Sequence, residues 1–295
     1  IDPLIEKAKE KTKSITVDDF IKSITFIGGS IYDNAKLLEK DPGYLANLAA
    51  QDEDSRKQLL DGNWKVAINP KDIYNYQSFQ DVFHNDFVHN GEKRITIDAA
   101  MGGKDKLMIL VFEGRKLIDL KMMSKSSGKD IVDHVKALQA IHRIPNSRVC
   151  YDADGVGAFI GGDTNGFIQG AVAFHNNGKA IITPNDSRKF RNLKAQCYYL
   201  SGDRVDAADY YISDNVANMM YDDKMTIRQR FLYERKCIKM KVRKNEEPHD
   251  LIPKDEMKKF IDGDSPDLMD AFSMNEYFEI VPKRKAPKST VMRRN

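Results

Sequence analysis

The stretch Arg94-Ile95-Thr96-Ile97-Asp98-Ala99-Ala100-Met101-Gly102-Gly103 constrains the fold of this chain more than any other. Ile95, Thr96 and Ile97 are branched at Cβ and stiff at χ1, which suits a pleated, buried strand, and the paired glycines permit a sharp turn after it. Asp98 therefore stands at the end of a central strand. A carboxylate placed there must be ion-paired, hydrogen-bonded or metal-bound, because burying it alone carries a large desolvation cost. Taken by itself, Asp98 reads equally well as a turn residue capping its own loop. Its meaning depends on further acids on comparable supports.

Composition narrows the classes. With 295 residues, 41% of them hydrophobic, the chain can bury the core of one large or two modest domains. The 47 basic and 44 acidic side chains nearly cancel to +3, so any nucleic-acid surface must be a local patch. Cys150, Cys197 and Cys237 are odd in number and lack CxxC spacing, which points to buried, reduced thiols in a cytosolic compartment. No apolar run approaches the roughly 18 residues that span a bilayer, and Ile1-Asp2-Pro3 is no signal peptide. A chain opening on Ile reads as a fragment or a processed product. Gly103-Lys104, Gly128-Lys129 and Gly178-Lys179 lack the flanking residues of a phosphate loop. Asp152-Ala153-Asp154-Gly155-Val156-Gly157 lacks the third glycine of a dinucleotide loop and sets carboxylates where a pyrophosphate would lie.

In chain order, residues 1–22 are charged and helix-prone, 22–27 read as a strand, and 34–40, 42–48 and 55–60 as short helices. The single Trp64 follows a Gly-Asn helix stop and packs over a helix end. Residues 83–93, with His84 and His89, read as a polar linker. From Arg94 the pattern becomes strands: 94–98, then 106–113 and 115–123 hinged at Gly114, a three-stranded antiparallel meander. Ser127 opens a helix with Ile131, Val135, Leu138 and Ile141 on its apolar side, and 148–152 is the next strand. A right-handed crossover would return that strand parallel to the first, so Asp98 and Asp152 would stand at neighbouring strand ends. Residues 171–174 are a fifth strand, Asp186-Ser187 caps a long helix through Leu200, and further helices cover about 205–220 and 225–235.

Residues 237–244 alternate strictly, with Ile238, Met240 and Val242 on one face and Lys239, Lys241 and Arg243 on the other. Such a basic face suits a polyanion, or equally a solvated edge strand guarded by lysines. A short helix starts at Pro253, and a stronger one at Ser265, which can cap with Pro266 in the first turn. Asp267 fits the helix dipole, whereas Asp270 lies among Met269, Ala271 and Phe272 and is drawn toward the core. Residues 283–295 hold basic side chains and no acids, a tail suited to contact with nucleic acid.

Three carboxylates thus fall on a first strand, a parallel neighbour and a late helix. Converging acids raise one another's pKa unless a divalent cation neutralises them, and oxygen-only ligands favour Mg²⁺ or Mn²⁺ over zinc. Two such ions about 3.5–4 Å apart can clamp a scissile phosphate.

The order of these pieces resembles the ribonuclease H-like nuclease fold, and more specifically the C-terminal part of the large terminase subunit of tailed bacteriophages. The resemblance is carried by the 41–48 stretch Asp-Pro-Gly-Tyr-Leu-Ala-Asn-Leu with Leu60-Asp61-Gly62-Asn63-Trp64, by Ile97-Asp98-Ala99-Ala100-Met101-Gly102-Gly103, by Tyr151-Asp152-Ala153-Asp154-Gly155-Val156-Gly157, and by Ser265-Pro266-Asp267-Leu268-Met269-Asp270-Ala271. It implies an α/β architecture, a mixed five-stranded sheet of antiparallel meander plus parallel strands flanked by helices. By the same resemblance Asp98, Asp152 and Asp270 are the catalytic metal ligands, a pair of Mg²⁺ or Mn²⁺ ions is the cofactor, and Asp154 and Asp267 are auxiliary acids.

The resemblance further implies residues 1–85 as the remainder of a packaging ATPase and a linker, 86–282 as the nuclease, and 283–295 as a disordered tail. Without a phosphate loop, ATPase activity is not expected. The expected function is a metal-dependent endonuclease cutting concatemeric double-stranded DNA, with Lys239, Lys241 and Arg243 as DNA contacts. A portal protein and a small terminase subunit are the implied partners, with no membrane, in the cytoplasm of a bacterial host. Two alternatives stand beside it: another ribonuclease H-like enzyme such as a junction resolvase or transposase, and a non-catalytic motor-docking module.

Overall fold

In this computed structural model the described residues are 32, 34–41, 43–45 and 71–281, without 100–105, 125–126, 155–159, 161–165, 185 and 245. The chain divides into two compact units, Ile1–Val66 and Ala67–Asn295. In the first unit helix α1, Ala35–Lys40, starts where the Asn34 side chain accepts the backbone N–H of Leu37. The expected strand at 22–27, the helix at 55–60, Trp64, the Gly102-Gly103 turn and the basic tail lie outside the described residues.

The second unit opens with α2, Tyr76–Asp81, and a six-stranded sheet follows: β1 Lys93–Asp98, β2 Leu107–Glu113, β3 Lys116–Met123, β4 Val149–Asp152, β5 Val172–Phe174 and β6 Tyr211–Ile212. Spatial order is β5-β4-β1-β2-β3-β6. β1, β2 and β3 form the expected antiparallel meander, and β4 lies parallel to β1 with Ile97 opposite Tyr151. The crossover between them is α3, Gly128–His142, whose capping box is Ser127 with Asp130. Five strands were expected; the sixth is a two-residue pairing of Tyr211–Ile212 with β3, too short to show as a sequence period.

β1 and β2 are buried along nearly their whole length because the sheet is covered on both faces. Ile95, Ile97, Ile109 and Val111 pack with Ile131, Val135 and Leu138 of α3. Met108, Leu110 and Phe112 face the larger core of the remaining helices: α4 Leu193–Asp206, α5 Asp214–Ala217, α6 Ile227–Arg235, α7 Lys254–Lys259, α8 Asp267–Ser273 and α9 Tyr277–Ile280. Since strand side chains alternate, Thr96 and Asp98 share the face that looks onto α8. The Thr96 hydroxyl donates to the carbonyl of Ala271 at 2.7 Å, which ties α8 to the central strand.

Several expectations change. Residues 83–93 are not a loose linker: Phe83, Asn85 and Val88 are buried, and Tyr74, Phe79 and Val82 join the core, so this segment belongs to the second unit rather than to a piece ending at 85. The helix expected from Asp186 starts at Leu193 with Asn192 as its cap, because Asp186 is bound instead by Arg188. Ile141 of α3 is exposed. Pro266, not Ser265, occupies the cap position of α8. The 237–244 segment forms no strand; single bridges join Asp72 to Lys239 and Met240 to Leu251. Gly202 is required where α4 crosses residue 73, since a Cβ there would meet the Ile73 carbonyl at 2.6 Å.

Candidate active site

Asp98 and Asp152 end the parallel strands β1 and β4, one step beyond the Ile97–Tyr151 pairing, so register alone makes them neighbours. Asp267 and Asp270 occupy the first turn of α8, held against β1 by the Thr96 bond and by Phe272. The Phe272 ring lies 4.6 Å from Tyr210, 5.5 Å from Phe231 and 6.0 Å from Phe112, which locks the helix on its axis. The structure therefore brings four of the five expected acids to one end of the central strands.

Their electrostatics are unfavourable as a set. Asp98 is pushed well above the usual carboxylate range, first by burial and then by the charges of Asp270, Asp267 and Asp152, with Lys194 opposing. Asp152 is also raised by burial, although the Asp154 N–H (2.9 Å) and the Asn176 side-chain amide (3.0 Å) donate to it. Asp154 is turned away: His175 Nδ1 lies 3.0 Å from one oxygen and the Asn176 N–H 2.8 Å from the other, and these outweigh burial to hold its pKa low.

Two residues of α4 complete the site, and neither stands out in the sequence. The Lys194 ammonium sits 2.7 Å from Asp270 Oδ1, and the Tyr198 hydroxyl donates to the same oxygen at 2.5 Å. Their i, i+4 spacing puts both on one face of the helix. Burial would lower the Lys194 pKa, but Asp270, Asp98 and Asp152 raise it, so the ammonium remains charged among the acids. Asp267 accepts the backbone N–H of Lys106 at 3.0 Å. Asn176, which holds Asp152 and Asp154 together, was likewise unmarked, since its role exists only once β5 lies beside β4.

Among the described residues no three His, Cys, Asp or Glu side chains close into a metal cage. Asp152, Asp267 and Asp270 are instead turned to protein donors, while no described donor reaches Asp98. A half-buried carboxylate surrounded by three others and lacking a donor fits a divalent cation: the donor set is all oxygen, and the Lys194 ammonium is the positive charge set against it.

The basic residues divide. Lys239 is buried and its ammonium is bound to Asp72, 2.5 Å away, beside Arg235, so it is not part of a basic outer face. Lys241 is exposed, 3.8 Å from Asp250, and Arg243 is exposed with Nη1 donating to the Glu247 carbonyl.

No protein-family model matches this chain, and none of the curated proteins does. Solved structures do. The nuclease domain of the large terminase subunit gp2 of bacterial virus Sf6 superposes with a TM-score of 0.54 at 19% identity, over 69% of this chain and 97% of that one. A lysine-to-alanine variant of the same bacteriophage subunit with calcium gives 0.54 at 18% identity, over 69% and 98%. The variant nuclease domain with manganese gives 0.53 at 17%, again over 69% and 98%. At such identity the likeness is one of architecture: this chain carries the ribonuclease H-like fold found in the nuclease domains of phage large terminase subunits.

Proposed function

We propose that this chain is a divalent-metal-dependent endonuclease that hydrolyses phosphodiester bonds of double-stranded DNA during phage genome packaging. The observation that carries the reading is the mutual repulsion of Asp98, Asp152, Asp267 and Asp270 at the ends of β1 and β4, on a fold shared with terminase nucleases. Asp98, Asp152 and Asp270 would hold two Mg²⁺ or Mn²⁺ ions, with Asp267 and Asp154 as supporting acids. Bound ions supply the Lewis acidity for attack on the phosphate and for departure of the leaving oxygen.

The remaining work falls to the chain itself. Lys194 and Tyr198 orient Asp270 through one oxygen, Oδ1. Asn176 and the Asp154 N–H fix Asp152, one on each carboxylate oxygen. Thr96 and Phe272 keep α8, and so Asp270, in register with Asp98. Lys241 and Arg243 would contact phosphates without reading bases. The first unit is read as the remainder of a packaging ATPase and its linker. Portal protein and small terminase subunit are the partners this role requires, in the cytoplasm of a bacterial host.

The test is Mn²⁺-dependent nicking of supercoiled plasmid. Nicking by the unaltered chain that disappears in Asp98→Ala supports the assignment; nicking unaffected by that change defeats it. Preference for a linear duplex over a four-way junction separates a terminase nuclease from a resolvase.

A further inference from the structure

A rail of backbone hydrogen bonds leads away from the acids along one side of the second unit. Lys194 N–H donates to the Asn176 carbonyl, and Leu193 N–H to that of Gly178, so the start of α4 is laced to the loop that holds Asp152. Upstream, Arg191 N–H donates to His249 O and His249 N–H to Lys189 O, with Phe190 buried between them. Lys241 N–H then donates to Asp250 O. Alternation about the buried Phe190 turns both Lys189 and Arg191 outward, away from the core.

Two cations on this rail are unspent. Among the described residues neither Lys189 nor Arg191 forms an ion pair, in contrast to Arg188, which is bound by Asp186 and Asp203. Lys189 and Arg243 line a common cleft with His249. Glu246 and Glu247 line it too, and the Glu247 carboxylate accepts the Lys244 N–H. The imidazole of His249 senses the local field: burial, then Arg243 and Arg188, lower its pKa, with Asp186 and Asp203 opposing. Lys189 and Arg191 flank the Phe190–His249 bridge, and two residues of extended backbone span about 6.6 Å.

We propose that Lys189, Arg191 and Arg243 form a track for the sugar-phosphate backbone of duplex DNA, leading from the cleft beside His249 to Lys194 at the acid cluster. This rests on the nuclease reading for the identity of the polyanion. The track positions the duplex and carries no base specificity, because it offers charge to phosphates and nothing directed at a groove edge. Lys239, spent on Asp72, is outside it.

The test is binding of a short fluorescent duplex to the full chain, without divalent metal so that no cleavage intervenes, across a series of salt concentrations. The double variant Lys189→Gln/Arg191→Gln is expected to flatten the slope of log K against log salt by about 2, roughly one for each phosphate that is no longer neutralised. Its melting temperature and its Mn²⁺ binding by calorimetry are expected to match the parent. Lys129→Gln, which removes an exposed charge on α3, is expected to leave the slope unchanged. The track is overturned if the double variant keeps the parent slope, if Lys129→Gln flattens it equally, or if the parent does not bind duplex DNA. A chain that nicks plasmid with an unaltered slope in the double variant keeps the nuclease and rules out the track. One that fails to nick, yet shows the flattened slope, does the reverse.

Discussion

Asp98 carries the heaviest electrostatic load in the site, since burial and three neighbouring carboxylates all resist its ionisation and Lys194 alone is set against them. Between the ordinary carboxylate pKa and the raised one, the native state binds more protons than the unfolded chain. By linkage the metal-free protein then loses stability as pH rises through that window. Asp98→Asn removes the load, so the metal-free variant is expected to melt at a higher temperature than the parent at neutral pH, while losing Mn²⁺ binding in calorimetry. Because Lys194 lowers the Asp98 pKa, Lys194→Met is expected to move the acidic limb of the pH–rate profile to higher pH, as read from nicking rates in buffers of graded pH. An unmoved limb would show that Lys194 does not act on Asp98. At this scale Asp98 and Asp152 were legible because strand pattern and crossover handedness are local rules. Asp270 showed itself as an acid among Met269, Ala271 and Phe272. Lys194, Tyr198 and Asn176 were not legible, because their partners come from elements far along the chain.

At the scale of elements, α8 is the part that must be placed, and hydrogen bonds on two sides of it add to the packing of Phe272. Thr96→Val breaks the bond to the Ala271 carbonyl and leaves that oxygen buried, at a cost of about 1–3 kcal/mol. Urea denaturation measures the cost, and Mn²⁺ affinity is expected to fall about ten-fold, as for loss of a group that orients a ligand. From the other side, Glu234 of α6 is fully buried, accepts the Met269 N–H at 2.9 Å and pairs with Arg230 at 2.6 Å. Burial raises its pKa to about 8 despite Arg230. Glu234→Ala leaves the buried Arg230 guanidinium with the Asp264 carboxylate and the Ser265 carbonyl, and a loss of about 3 kcal/mol in the same denaturation assay is expected. The elements themselves were legible where period and caps agreed, as in the meander and in α3. They failed where a tertiary partner decided: the alternation of 237–244 promised a strand, but Asp72 draws Lys239 inward and only isolated bridges form.

For the whole molecule, the second unit begins at Ala67, and Tyr74, Phe79 and Phe83 lie within its core. A chain starting at Ala67 is therefore expected to unfold cooperatively by calorimetry and to nick plasmid like the parent, whereas one starting after residue 85 is expected not to fold, because it loses those three rings. The fold class was readable from the order of strands and acids, since a meander followed by a helix and a parallel strand admits few arrangements. The domain boundary was not, because residues 71–93 are polar on average and reveal their buried aromatics only by what they pack against. The proposed function requires cations shared by side chains from two strands and a helix. The direct measurement is anomalous diffraction from crystals soaked in Mn²⁺. The account predicts anomalous peaks among the carboxylates of Asp98, Asp152 and Asp270. Well-ordered carboxylates with no anomalous density among them would contradict it.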